Sequence, residues 1–308
     1  MLQTTIESPI ECSGIGLHSG KKVKMALRPA PEDAGVMFCL LGKDGKKMLR
    51  PCPEAVRSTQ LATTLCAGGD SVATVEHLMA ALRGMGVDNV RVDLDGCEVP
   101  IMDGSAASFV YLLRMAGIKE LSAPRRVLAL TKPIEFVREG KYIKATPYNG
   151  FKVDFTIDFP HPLIGKQSMS FNLTGDRFAE KLAKARTFGF LKEVEYLHQN
   201  GLALGGSLEN AVVLDEFGVL NEDGLRFDDE FVRHKVLDFI GDMAVSEYPL
   251  FAHFDVFASG HALNNEFLRY LTENADDYLE EVTLGRPVPR HSRAGVAVAQ
   301  PQVAAAMG

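Results

Sequence analysis

The chain has 308 residues, 46% of them apolar and 24% charged, with a net charge of −7. Such a length predicts two domains or one large one, and such an apolar content predicts a buried core, which excludes disorder over most of the chain. The acidic balance argues against a nucleic-acid partner, and no run of about 18 apolar residues suggests a transmembrane segment.

The first residues, Met1-Leu2-Gln3-Thr4-Thr5-Ile6-Glu7, lack the basic and apolar regions of a signal peptide. Five cysteines (Cys12, Cys39, Cys52, Cys66 and Cys97) all fall in the first third, with no C-x-x-C pair. An odd, unpaired set reads as reduced thiols, so a cytoplasmic location is expected.

In chain order, residues 23–27 alternate like a half-buried strand and stop at Arg28-Pro29, and residues 42–47 read as a turn. Thr74 has the chemistry of an N-cap for a helix over 75–83, ended by Gly84 and Gly86. Residues 89–94 read as a strand, and Asp103 and Ser105 can cap a helix over 106–115 that stops at Gly117. Ser122-Ala123-Pro124-Arg125-Arg126 is the candidate boundary between halves. Strand-like runs at 127–137, 141–146 and 151–159 follow, separated by turns in the manner of a β-meander. Helical patterns lie near 176–184 and 192–199, a short strand at 211–214, the longest helix at 229–246, a strand at 251–257 and a last helix at 262–274. Strands in runs rather than in βαβ alternation predict an α+β protein. From about residue 285 the chain turns rich in Pro, Arg and Ala, as a mobile tail would.

The 229–246 helix carries the first chemical signal. At about 100° per residue, Asp238 and Asp242 follow His234 at about 40° and 80°, while Val232, Val236, Phe239, Ile240 and Met243 form an opposite apolar stripe. A His and an Asp spaced i, i+4 can share one metal ion, or can simply hydrogen-bond on a solvated face. Thr74-Val75-Glu76-His77-Leu78 adds an adjacent Glu and His at a helix start. Two His and one Asp would leave a fourth position for water, with a neighbouring Glu as its base. In Ser259-Gly260-His261-Ala262-Leu263-Asn264-Asn265, a His follows a strand at the mouth of a helix, where it can serve as a general acid or as a cap. His161, His198, His253 and His291 lack such surroundings and read as structural.

Together these segments resemble the UDP-3-O-acyl-N-acetylglucosamine deacetylases of lipid A biosynthesis, the LpxC family. The likeness extends through Gly14-Ile15-Gly16-Leu17-His18-Ser19-Gly20, Ser58-Thr59, Val99-Pro100-Ile101-Met102-Asp103-Gly104-Ser105-Ala106, Ala185-Arg186-Thr187-Phe188-Gly189-Phe190 and residues 220–227, and covers roughly residues 1–283. It implies two similar α+β domains, 1–123 and 124–284, each a sheet with two helices, with the active site between them and a tail over 285–308. By motif, His77, His234 and Asp238 match the zinc ligands and Glu76 the general base. His261 matches the general acid, Asp242 the carboxylate that orients it, Thr187 a hydroxyl on the oxyanion, and Lys235 a positive group beside the site. Phe188 matches a residue of the sugar pocket, and His18 lies in a run that borders the site.

The implied reaction is zinc-dependent amide hydrolysis of a UDP-linked acylated amino sugar, with a zinc-held water as nucleophile. Fe²⁺ also accepts two His and one carboxylate. The resemblance further implies an acyl-chain passage along Phe190, Leu191, Val194, Ala203, Gly206 and Ala211, residues that would equally make an ordinary core. The diphosphate calls for positive charge, for which Lys235 and Lys141 are candidates. Resemblance to enterobacterial members implies that the small apolar runs 294–299 and 303–306 form a degradation tag for an ATP-dependent protease. Two rival readings stay open on the residues alone: a zinc hydrolase of another acylated sugar, and a non-catalytic binding module.

Overall fold

The computed structural model describes residues 1–42 and 45–285. The architecture is α+β. A five-stranded sheet runs in the order Ile10–Ile15, Lys22–Pro29, Val90–Leu94, Val36–Gly42, Gly45–Leu49, antiparallel throughout except where Val36–Gly42 runs parallel to Val90–Leu94. Pro29 ends its strand opposite Val90, at a position where the lost N–H is tolerated. Helices Glu76–Met85 and Ala107–Ala116 belong to the same half of the chain and pack on each other.

A seven-stranded mixed sheet occupies the second half. Its central strand, Leu250–Phe257, pairs antiparallel with Lys141–Pro147 and parallel with both Phe151–Phe159 and Arg126–Leu130. The meander expected from the sequence is therefore only half realised. Ile134–Arg138 and Lys141–Pro147 form a hairpin, but Phe151–Phe159 lies on the far side of the Leu250–Phe257 strand. Turn chemistry marks where strands end and carries no information about which neighbour they take. Pro133 separates Arg126–Leu130 from Ile134–Arg138, so the 127–137 run is two strands.

Helices form close to where periodicity placed them: Leu191–Gln199, Glu230–Met243 and His261–Glu273. The 176–184 pattern instead becomes a short helical turn, Gly175–Arg177, continued by a π-helical turn, Phe178–Leu182. Thr74 is not a cap. Its backbone is left-handed and its hydroxyl donates to Glu98 Oε1 at 3.0 Å. Around Ser105 the local bonds run as expected, Asp103 accepting from the Ser105 hydroxyl at 2.9 Å and Ser105 Oγ from the Ala107 N–H at 3.1 Å. The expected 42–47 turn lies partly, and the tail from residue 286 wholly, outside the described residues.

The helices Glu76–Met85 and Glu230–Met243 pack directly on each other. Gly241 makes the approach close: a Cβ there would overlap the Glu76 carbonyl group. Both helices are buried along most of their length, so polar side chains on their facing surfaces are drawn into the interior. Among the described residues, no helix is long and apolar enough to cross a membrane.

Candidate metal centre and active site

His77, His234 and Asp238 converge where those two helices meet, and all three are buried. Asp238 Oδ1 lies 3.3 Å from His234 Nε2 and 3.5 Å from His77 Nε2. Tetrahedral ligands at zinc-like bond lengths of about 2.0–2.1 Å stand about 3.3 Å apart, so the spacing fits one ion. His234 Nδ1 donates to the Ala185 carbonyl at 3.1 Å, which leaves Nε2 with its lone pair free to ligate. Asp238 Oδ1 is buried with no hydrogen-bond partner among the described residues, an orphan of the kind a cation would satisfy. Burial drives the His234 imidazole down to about 4, the neutral form that ligation requires. Burial works against ionisation of Asp238, but His234, Lys235 and neighbouring histidines outweigh it and hold the carboxyl well below its usual range.

Around the triad stand Glu76 and His261. Glu76 precedes His77 on the same helix and is buried; burial pushes its carboxyl upward, with His261 and His77 opposing. His261 opens the His261–Glu273 helix, just beyond the Leu250–Phe257 strand. Its Nδ1–H donates to Asp242 Oδ2 at 2.8 Å, and its Nε2 points back towards Asp238 Oδ2, 4.0 Å away. Burial disfavours the imidazolium, but Asp242 more than offsets it and lifts the group to about 9. Asp242 is held in turn by Asn264 Nδ2 at 2.7 Å. Lys235 lies 2.8 Å from Asp238 Oδ2; burial works against its charge, and Asp238 keeps it.

Thr63, which no sequence signal singled out, bridges Glu76 and Asp242. Its N–H donates to Glu76 Oε2 at 3.0 Å and its hydroxyl to Asp242 Oδ1 at 2.6 Å. It sits at the entrance to the strand Thr64–Ala67, and only tertiary structure brings it to residues 179 positions away.

Thr187 is pinned on both sides, its N–H donating to the Gly104 carbonyl at 2.8 Å and its carbonyl accepting from Val212 at 2.8 Å. Phe188 packs edge-on against Phe231 at 5.0 Å and faces His234 at 6.3 Å. The segment is anchored by Glu230, fully buried, which accepts from Arg186 Nε at 2.9 Å, Arg186 N–H at 2.9 Å and Arg226 N–H at 2.7 Å. His18 is held from behind, because Glu98 accepts its N–H at 2.8 Å. Its own Nε2 is buried without a partner among the described residues. Burial holds the His18 imidazole below its ordinary range.

An apolar cleft of about 310 Å³ is lined by Phe190, Leu191, Leu214 and Phe217, with His161 at its side. Phe190 and Leu191 are chain neighbours and both line it, and His161, read from sequence as structural, joins them. Val194, Ala203, Gly206 and Ala211 are not among its lining residues. Ala203 lies instead beside His18, its N–H donating to His18 Nδ1 at 3.4 Å. Lys141 is exposed on the hairpin opposite Arg138, at the end of the sheet from which the His261 helix departs, and forms no ion pair among the described residues.

This geometry has counterparts. A family model for UDP-3-O-acyl N-acetylglycosamine deacetylase, LpxC, matches residues 3–273. The chain belongs to the LpxC family. Curated relatives named UDP-3-O-acyl-N-acetylglucosamine deacetylase support the same membership. The one from Oleidesulfovibrio alaskensis is 59% identical over 305 residues, 99% of this chain and 100% of its own. That from Nitratidesulfovibrio vulgaris is 60% identical over 92% of both chains, and that from Lawsonia intracellularis 51% identical over 89% of this chain and 90% of its own. Family membership and the buried histidine–aspartate cluster agree on a hydrolase with a metal-binding group.

Proposed function

We propose that the protein hydrolyses the acetamide of UDP-3-O-(3-hydroxyacyl)-N-acetylglucosamine, releasing acetate and the free 2-amino sugar for lipid A synthesis in the cytoplasm. The observation that carries this reading is the placement of a buried Glu76 and an Asp242-bound His261 around one His–His–Asp triad. His77, His234 and Asp238 would hold the ion, read as Zn²⁺ with Fe²⁺ as the alternative. When bound, that ion acidifies water and polarises the acetyl carbonyl.

Glu76, raised by burial, accepts the proton of the attacking water. His261, charged at neutral pH through Asp242, gives a proton to the departing nitrogen, since an amide anion is a very poor leaving group. Thr63 holds the base and the Asp242–His261 pair at a fixed spacing. The Thr187 hydroxyl is read as a donor to the tetrahedral oxyanion, and Lys235 as a positive charge beside it. Phe188 borders the sugar, His18 borders the site, and the Phe190–Phe217 cleft takes the acyl chain. Two domains, 1–123 and 124–284, with the reaction at their junction, remain part of the same reading.

The test is acetate release from that substrate by protein stripped with chelator and then given one equivalent of Zn²⁺. Loss and return of activity is the expected result. A folded, metal-restored protein that leaves the UDP substrate untouched would sink the proposal.

A further inference from the structure

A second cavity, of about 60 Å³, lies at the other end of the helix that carries Glu76 and His77. Met79, Leu82 and Arg83 of that helix line it, as do Ala244 and Ser246 just after the Glu230–Met243 helix. Arg83 stands six residues beyond His77, about 9 Å along the helix axis, so the cavity is separate from the reacting groups.

Four arginines face this space, Arg50, Arg83, Arg125 and Arg126, against Asp33, Asp88 and Glu247. The two aspartates are already engaged. Asp33 takes Arg126 Nη2 at 2.8 Å and Gln3 Nε2 at 2.8 Å. Asp88 has Arg125 Nε 2.9 Å from Oδ1 and accepts the Thr4 N–H on Oδ2 at 3.0 Å. The Arg125–Asp88 contact is off the hydrogen-bond line, and Arg125 Nε is buried without an acceptor among the described residues. Glu247 is exposed, and among the described residues it joins no ion pair and the guanidiniums of Arg50 and Arg83 have neither a hydrogen bond nor an ion pair.

Arg83 and Arg125 are half-buried and Arg50 is exposed; guanidiniums gathered around one small cavity repel each other, and the half-buried ones have lost part of their hydration. Arg83 registers this: burial first, then Arg125, brings it down to about 10, with Asp88 opposing. Arginine forks match tetrahedral oxyanions in shape and charge. The volume is room for a few waters or one small oxyanion. We propose that this cavity binds an oxyanion of the phosphate class, held by Arg83 and Arg50 with Arg125 beside it. The bound anion would tie the far end of the Glu76–Met85 helix to the segment that links the two halves of the chain.

The experiment is calorimetric titration of the full, metal-loaded chain with inorganic phosphate, at constant ionic strength set with chloride. Saturable one-to-one binding is expected, with a rise in Tm of about 2 °C at ten times Kd. Arg83→Gln should abolish both the heat and the Tm shift while leaving acetate release within twofold. Arg50→Gln should weaken binding tenfold or more, and this second variant keeps the test open should the first fold poorly. Competition by glycerol phosphate would assign the site to a phosphomonoester end; failure to compete would assign it to free phosphate. Phosphate binding that is unchanged in both variants, or no saturable heat beyond chloride, overturns the proposal.

Discussion

The buried His–His–Asp cluster and the apolar cleft rest on different kinds of backbone. His77, His234 and Asp238 project from two helices that meet at Gly241, and each is at most 4% exposed. Phe190 and Leu214 end two three-residue strands, Leu191 starts the next helix, and Phe217 is 90% exposed. The cluster thus sits on elements whose positions are fixed by the core, which suits geometry that must hold within about half an ångström. The cleft sits on short pieces that leave apolar surface exposed.

The sharpest way to break this contrast is at Glu76 and His261, the proposed proton-transfer groups. Glu76→Gln or His261→Ala should lower kcat by about 10²–10⁴ while metal content, read by elemental analysis, stays at one ion per chain. A variant that loses its metal instead would show that these residues build the centre rather than work beside it. Next comes the support beneath it. Glu230→Ala leaves Arg186 buried without its carboxylate and should cost about 3–5 kcal/mol in urea unfolding.

Glu230 also carries a pH signature. Burial raises its pKa, but Arg186 and two backbone N–H groups more than reverse this, so the folded value lies below the ordinary 4.5. A depressed carboxylate contributes stability above pH 4.5 and loses it as pH falls through the folded value. Tm of Glu230→Gln should therefore start lower at pH 7 and fall less steeply than wild type below pH 4.5.

A smaller effect is expected at Thr63. Thr63→Val removes the hydroxyl from Asp242 but keeps the N–H on Glu76, and should lower kcat about tenfold with KM nearly unchanged. The smallest belongs to the cleft: Phe217→Ala should raise KM for the acylated substrate a few-fold and leave kcat alone. A large kcat loss there would erase the distinction between the two regions.

What could be read from the sequence follows the same division. The His234–Asp238–Asp242 stripe is a property of one helix, so spacing alone places it. Glu76 and His77 are adjacent and share a helix start, which is also local. Thr63 reaches Asp242 only through folding, and no periodicity announces a residue that works across 179 positions. The cleft behaves likewise: Phe190 and Leu191 come from the segment expected, but His161 and Phe217 arrive from elsewhere, while Ala203 turns towards His18. The sheet order failed to follow from the turns for the same reason, since Leu250–Phe257 inserts between strands a hundred residues earlier in the chain.

At Gly241 the two ligand-bearing helices touch through peptide units, with no side chain between them. The ruler that spaces His77 from His234 and Asp238 is therefore the thickness of the main chain itself. Residues of the surrounding core can drift in size over evolutionary time without rescaling the centre, because none of them is the spacer. The dimension on which the chemistry depends is inherited from the one part of a protein that substitution leaves unaltered.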